Sequence, residues 1–125
     1  MCSSDLAMTA RQAMKDDVEA FFAEGWQAIL SPISVVPAFK HLQEPTMMER
    51  TLDVDGTSVP YMTMLCWIAL ATALHFPSLA VPVMQTNDGL PVGAQLIGDI
   101  GHEDRLFDFA LALEGKLGGF RAPAL

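Results

Sequence analysis

The sequence predicts an α/β chain in which helices flank a β-sheet, and three observations carry that expectation. Apolar residues recur at helical intervals from Ala10 to Phe22, and a second helical run extends from His102 to Lys116. Between them, the strand-like runs SLAVPVM and LPVGAQLIG flank QTNDG, a segment with turn chemistry in Asn87, Asp88 and Gly89. The 125 residues fit one domain, and an apolar share of 51% implies a dense core or a surface covered by something else.

Taken in order, Thr9 and Gln12 have the spacing of a capping box. Behind them Ala10, Met14, Val18, Phe21 and Phe22 share one face, while Lys15, Asp16, Asp17 and Glu19 hold the other. Gly25 supplies the stop. The short apolar run WQAILSP, closed by Pro32, predicts a strand buried on both faces. ISVVPAFKHLQEPTMMER keeps no period and contains two prolines, which predicts a long shaped loop. TLDVDGTSVP alternates around Asp55-Gly56, a dipeptide suited to the positive φ angles of a tight hairpin turn. Tyr61 to Leu74 is apolar nearly all round and predicts one interior helix. The next two strands form a hairpin in which Pro82 and Pro91 require bulges or edge positions. In the last helix Glu103 and Asp104 suit the positive N-terminal end, and Gly118-Gly119 ends it.

Composition narrows the function classes. Seven basic against fifteen acidic residues give a net charge of −8, which repels phosphate backbones and anionic membranes, so no nucleic-acid partner is expected. The longest apolar run, Leu65 to Phe76, falls well short of the about 20 residues a membrane span needs. Cys2 and Cys66 give neither a disulfide framework nor a zinc spacing, and no stretch has the pattern of a secretion signal; a cytoplasmic setting is the expectation.

Candidate chemistry is sparse. His41, His75 and His102 are scattered without metal-site spacing, and Asp53 and Asp55 flank a turn where solvated carboxylates are ordinary, so neither a metal nor a cofactor is expected. Ser3, Ser4 and Ser31 lack the Gly-rich turn that would supply oxyanion donors to a nucleophile, and Lys15 sits on a polar helix face. GLPVG has neither the lysine nor the spacing of a phosphate loop. An independent hydrolase built on Ser31 and His41 is therefore disfavoured.

HFPSLAVPVMQTNDGLPVGAQLIGDIGHEDRLFDFALALE resembles the C-terminal end of the amidase signature family, with Pro77, Pro82, Gly89, Leu90, Pro91, Gly93, Gln95 and Gly98 matching its structural motif. WQAILSPISVVPAFKH is similar to the family's strand ending in Ser/Thr-Pro and the Pro-Ala loop after it, and LDVDGTSVPYMTMLCW to the hairpin and helix that follow. The resemblance covers residues 7–125 and leaves MCSSDL, residues 1–6, as an unaligned start, artefactual if adapter-derived. It implies a C-terminal part of the family's mixed β-sheet flanked by helices, and a parent that hydrolyses carboxamide bonds with a Ser-cisSer-Lys triad.

The family's Gly-Gly-Ser-Ser-Gly-Gly and Gly-Ser-Asp-x-Gly-Gly-Ser runs are not in this sequence. The resemblance thus implies a fragment without catalytic residues, whose partner is the missing N-terminal part of the same enzyme and whose parent takes a small-molecule amide. Pro32, Phe39, His41, Tyr61 and Leu65 are the candidate substrate-pocket residues, because strand-end loops are where α/β folds place their sites. The alternative is a self-sufficient small α/β binding or regulatory module without catalysis.

Overall fold

The computed structural model describes residues 3–122, so Met1 and Cys2 of the opening segment lie outside the described residues. Three helices, α1 (Ser3–Ala23), α2 (Ala69–Leu74) and α3 (Glu103–Leu117), accompany five strands: β1 (Ile29–Pro32), β2 (Thr51–Val54), β3 (Thr57–Pro60), β4 (Ser78–Gln85) and β5 (Pro91–Ile97). One sheet has the order β1-β5-β4 and a second pairs β2 with β3. Every strand pair among the described residues is antiparallel.

Strand β5 is the centre. Its alternate residues face two separate cores, as the period of two along a strand requires. Ala94 and Leu96 join Val81 and Leu106 in a cluster beneath α3, whereas Ile97 joins Phe22, Ala71, Leu74 and Phe76 beneath α1 and α2. Leu96 and Ile97 are essentially inaccessible to solvent. The sheet is thus covered by helices on both faces.

The β4–β5 hairpin forms as expected. Thr86 N–H donates to Leu90 O and Gly89 N–H to Thr86 O, both at 2.9 Å, and the Thr86 hydroxyl accepts from Leu90 N–H at 3.0 Å. The two prolines stand where a ladder tolerates them. Pro91 opens β5, and Pro82 lies on edge strand β4 beside a bulge: the register steps from Pro82↔Gly93 to Met84↔Val92, leaving Val83 as the extra residue. The β2–β3 hairpin also forms, with Asp55 at φ 51° and Gly56 at φ 80°, and the Asp53 carboxylate accepts from Gly56 N–H at 3.0 Å. Helix α3 carries Glu103 and Asp104 in its first turn and ends at left-handed Gly118, also as expected.

Three elements differ from the sequence-based expectation. Helix α1 starts at Ser3, and Thr9 is inside it: the Thr9 hydroxyl donates to the Asp5 carbonyl at 2.8 Å and Gln12 donates to Asp16 at 2.7 Å, so the two do not cap one another. Strand β1 is a half-buried edge strand, with Leu30 55% exposed, because only β5 pairs with it among the described residues. The run Tyr61 to Leu74 is broken. A 3-10 helix spans Tyr61–Leu65, Cys66 N–H donates to Thr63 O at 3.1 Å, and α2 begins only at Ala69. Neither start has a side-chain cap, and Met62, Leu65 and Trp67 are exposed while Ala71 and Leu74 are buried. Helix α2 ends at His75 in the left-handed region, with Phe76 N–H donating to Ala71 O at 3.1 Å.

Gly98 joins the sheet to α3. A Cβ there would come 2.7 Å from Leu106 Cγ, so only glycine allows the helix this close. Gly98→Ala is expected to destabilise the chain by about 1–3 kcal/mol through overpacking. Gly115, inside α3 with open space around it, should behave oppositely, Gly115→Ala stabilising by up to about 1 kcal/mol. Urea unfolding of both variants checks the pair, and a like sign for the two would count against the packing argument.

Candidate functional site

The chain leaves β1 at Pro32 and turns back over the start of β5. Ile33 packs against Gly93, where a Cβ would come 3.1 Å from Ile33 Cδ1 and 3.3 Å from the Val81 carbonyl. The loop and the strand enclose a groove of about 510 Å³ lined by Pro32, Ile33, Val36, Phe39, Val92 and Gly93 among others. Its lining is mostly apolar side chains and its shape follows from the glycine, since a side chain at position 93 would push the loop away. The Ser34 hydroxyl accepts from Val36 N–H at 3.4 Å and helps bend the loop.

Phe39 extends this wall to a neighbouring element. Its ring meets Tyr61 edge-on, with centroids 6.1 Å apart and planes at 88°, a favoured aromatic geometry. Tyr61 is placed by the β2–β3 hairpin: it follows Pro60 at the end of β3, and its N–H donates to Arg50 O at 2.9 Å. The Arg50 guanidinium lies 5.7 Å from the Tyr61 ring centroid, a contact of about 0.5–1 kcal/mol at a partly exposed site. The same side chain donates to Pro45 O at 2.7 Å and to Gln43 O at 2.6 Å, tying the irregular segment before β2.

The five candidate pocket residues thus divide. Pro32 and Phe39 line the groove, and Tyr61 packs on Phe39. Leu65 ends the 3-10 helix that Tyr61 begins and is 40% exposed. His41 is exposed and forms no side-chain hydrogen bond among the described residues. A larger groove, about 660 Å³, lies between the β4–β5 hairpin and the segment after α3, and none of the five lines it. Sequence reasoning misses Arg50, because a lone arginine in an aperiodic loop carries no spacing signal.

Ser31 and Gln95 are register partners on β1 and β5 and share the sheet face that carries Ile97. Ser31 Oγ and Gln95 Nε2 are both buried without a hydrogen-bond partner, and Gln95 is only 6% exposed. Ser31 therefore has no base within reach, and Lys15 is engaged with Glu19 at 3.5 Å on the outer face of α1. Among the described residues no three His, Cys, Asp or Glu side chains are grouped as metal ligands, and no helix is long and apolar enough to cross a membrane.

These features define the class: an α/β unit that offers a groove wall, beside which the Ser31 hydroxyl has no hydrogen-bond partner to activate it. The chain belongs to the Amidase family, whose profile matches residues 4–107. It is 32% identical over 114 residues to a glutamyl-tRNA(Gln) amidotransferase subunit from Xanthobacter autotrophicus, covering 91% of this chain and 21% of that protein. It is 27% identical over 104 residues to 6-aminohexanoate-cyclic-dimer hydrolase of Paenarthrobacter ureafaciens, covering 80% of this chain and 21% of that protein. Among solved structures, the corresponding glutamyl-tRNA(Gln) amidotransferase subunit from Thermotoga maritima superposes with a TM-score of 0.72 at 27% identity, covering 97% of this chain and 25% of that one. The chain therefore spans about a fifth of the length of the curated relatives it matches.

The unpartnered polar pair has a measurable consequence. Removing a buried group that makes no hydrogen bond relieves a desolvation cost of about 1–3 kcal/mol, so near-isosteric Gln95→Met should raise the unfolding midpoint of the chain and Ser31→Ala should leave it unchanged or slightly higher. A midpoint lowered by both, in thermal unfolding followed by circular dichroism, would mean that the two groups are satisfied.

Proposed function

We propose that residues 7–125 are the C-terminal part of an amidase signature domain, in a cytoplasmic enzyme that hydrolyses carboxamide C–N bonds. In this reading the chain supplies sheet, packing and one wall of the substrate cavity. The Ser-cisSer-Lys triad comes from the N-terminal part of the same enzyme, and the chain alone is inactive. The observation that carries the reading is the groove at the end of β1. There Pro32 and Phe39 form an apolar wall extended by Tyr61, while Ser31 beside it has no base to activate it. A wall without a nucleophile can bind and orient an amide but cannot attack it.

Two parts of the reading can be tested separately. Purified chain, assayed for ammonia release from hexanamide and benzamide, should show no turnover above buffer. Turnover that vanishes in Ser31→Ala would replace the fragment reading with an independent hydrolase. In a complete enzyme containing this chain, Phe39→Ala, Tyr61→Ala or Leu65→Ala should change the preference among acyl chain lengths, on the order of tenfold in relative kcat/KM. An unchanged preference together with a large loss of stability would make these residues core packing only.

A further inference from the structure

We propose that Arg50 is a positioning residue for this wall: it sets where the Tyr61 ring stands, and through it Phe39, and so which amides the groove accepts. The proposal rests on the groove being part of an amide-binding cavity. Its basis is the number of independent ties that converge on one side chain. Nε donates to the Pro45 carbonyl at 2.7 Å and Nη2 to the Gln43 carbonyl at 2.6 Å, so the plane of the guanidinium is fixed by two bonds to the same loop. The guanidinium carbon, Cζ, then lies over the Tyr61 ring, 5.7 Å from its centroid. The backbone of Arg50 is held as well, its N–H donating to Thr46 O at 3.1 Å and its carbonyl accepting from Tyr61 N–H at 2.9 Å. From Tyr61 the contact passes to Phe39 at 6.1 Å, and Phe39 lines the groove.

The chemistry of arginine explains the choice of residue. A planar fork can serve two carbonyls and still present a face to an aromatic ring, whereas a lysine ammonium is a point charge on a flexible stem. Among the described residues Arg50 forms no salt bridge, so its side chain is committed to the loop carbonyls and the ring. Without it the Tyr61 ring would lose the cation beside it and keep its edge-on contact with Phe39, itself on an irregular loop.

The test uses the chain itself, in which Tyr61 is the sole tyrosine. Ring-13C tyrosine labelling therefore yields signals from one residue. Wild type, Arg50→Lys and Arg50→Met are compared by NMR, each alone and titrated with hexanamide and with benzamide. Circular dichroism confirms the fold of each variant, and Arg50→Lys carries the test should Arg50→Met unfold. The expected result has three parts: both variants move the Tyr61 ring signals toward those of free tyrosine, both amides perturb these signals in wild type, and the ratio of the two dissociation constants shifts by about tenfold in the variants. Wild-type ring signals in Arg50→Lys would show that charge alone suffices and would overturn positioning by the fork. Shifted ring signals with an unchanged ratio would overturn the selectivity role and leave Arg50 structural. If neither amide perturbs Tyr61 in wild type, the amide-wall reading fails and takes the selectivity role with it, while the ring shifts still report separately whether Arg50 places Tyr61.

Discussion

The burial of β5 on both faces is the constraint on which the rest of this structure depends. A strand from Ala94 to Gly98 with every residue buried must find apolar cover above and below, and it must do so over a distance fixed by the side chains between. Leu96 takes its cover from α3 and Ile97 from α1 and α2, so the three helices are organised around adjacent residues of one strand. Gly98 sets the closest approach, since Leu106 occupies the space a side chain would need. The Gly-Leu-Pro-Val-Gly-Ala-Gln-Leu-Ile-Gly string is thus a packing specification: glycine at the left-handed turn residue 89 and, at 93 and 98, where another element comes near, branched residues where a core needs volume, proline where the ladder begins.

The groove is a consequence of the same rule. Gly93 lets Ile33 lie against the strand as Gly98 lets Leu106 do so, and the loop folded over it carries Phe39 outward to meet Tyr61. The two rings come from segments separated by the β2–β3 hairpin, whose own turn depends on positive φ angles at Asp55 and Gly56. A local turn thereby fixes the position of a residue on a surface formed by distant parts of the chain. Arg50, at the foot of that hairpin, joins the loop and the ring in one side chain.

What is legible in the sequence follows the reach of the interactions concerned. Asp55-Gly56, the QTNDG turn, the acidic start and Gly118 end of α3, and the need for a bulge or an edge position at Pro82 are all readable, because each is decided by backbone preferences within a few residues. The break between Tyr61 and Ala69 is not, since a run that is apolar on every side has no phase to show where one helix stops and another begins. The start of α1 is misleading because Thr9 and Gln12 have capping-box spacing in a helix that continues through them, while Ser3, Ser4 and Asp5 supply equally good starts. Composition alone suggests two-sided burial for β1, and its edge position depends on strand order, which no local pattern encodes. In the site, Phe39 and Tyr61 are readable as candidates, but their pairing and the part of Arg50 depend on long-range placement.

The strand order β1-β5-β4 also carries a consequence for how the sheet assembles in time. Strands β4 and β5 are joined by residues 86–90 alone, whereas pairing Ile29 with Ile97 closes nearly the whole intervening chain into a loop. Loop closure entropy grows with the length closed, and contacts distant in sequence form more slowly than local ones. The β4–β5 hairpin is therefore the natural nucleus and β1 a late arrival. Until β1 arrives, the backbone of Gln95 and Ile97 on that side of β5 stands open. The family motif is written into the part of the sheet that can form first, and the groove, which needs Pro32 and the loop behind it, can only be completed after the sheet.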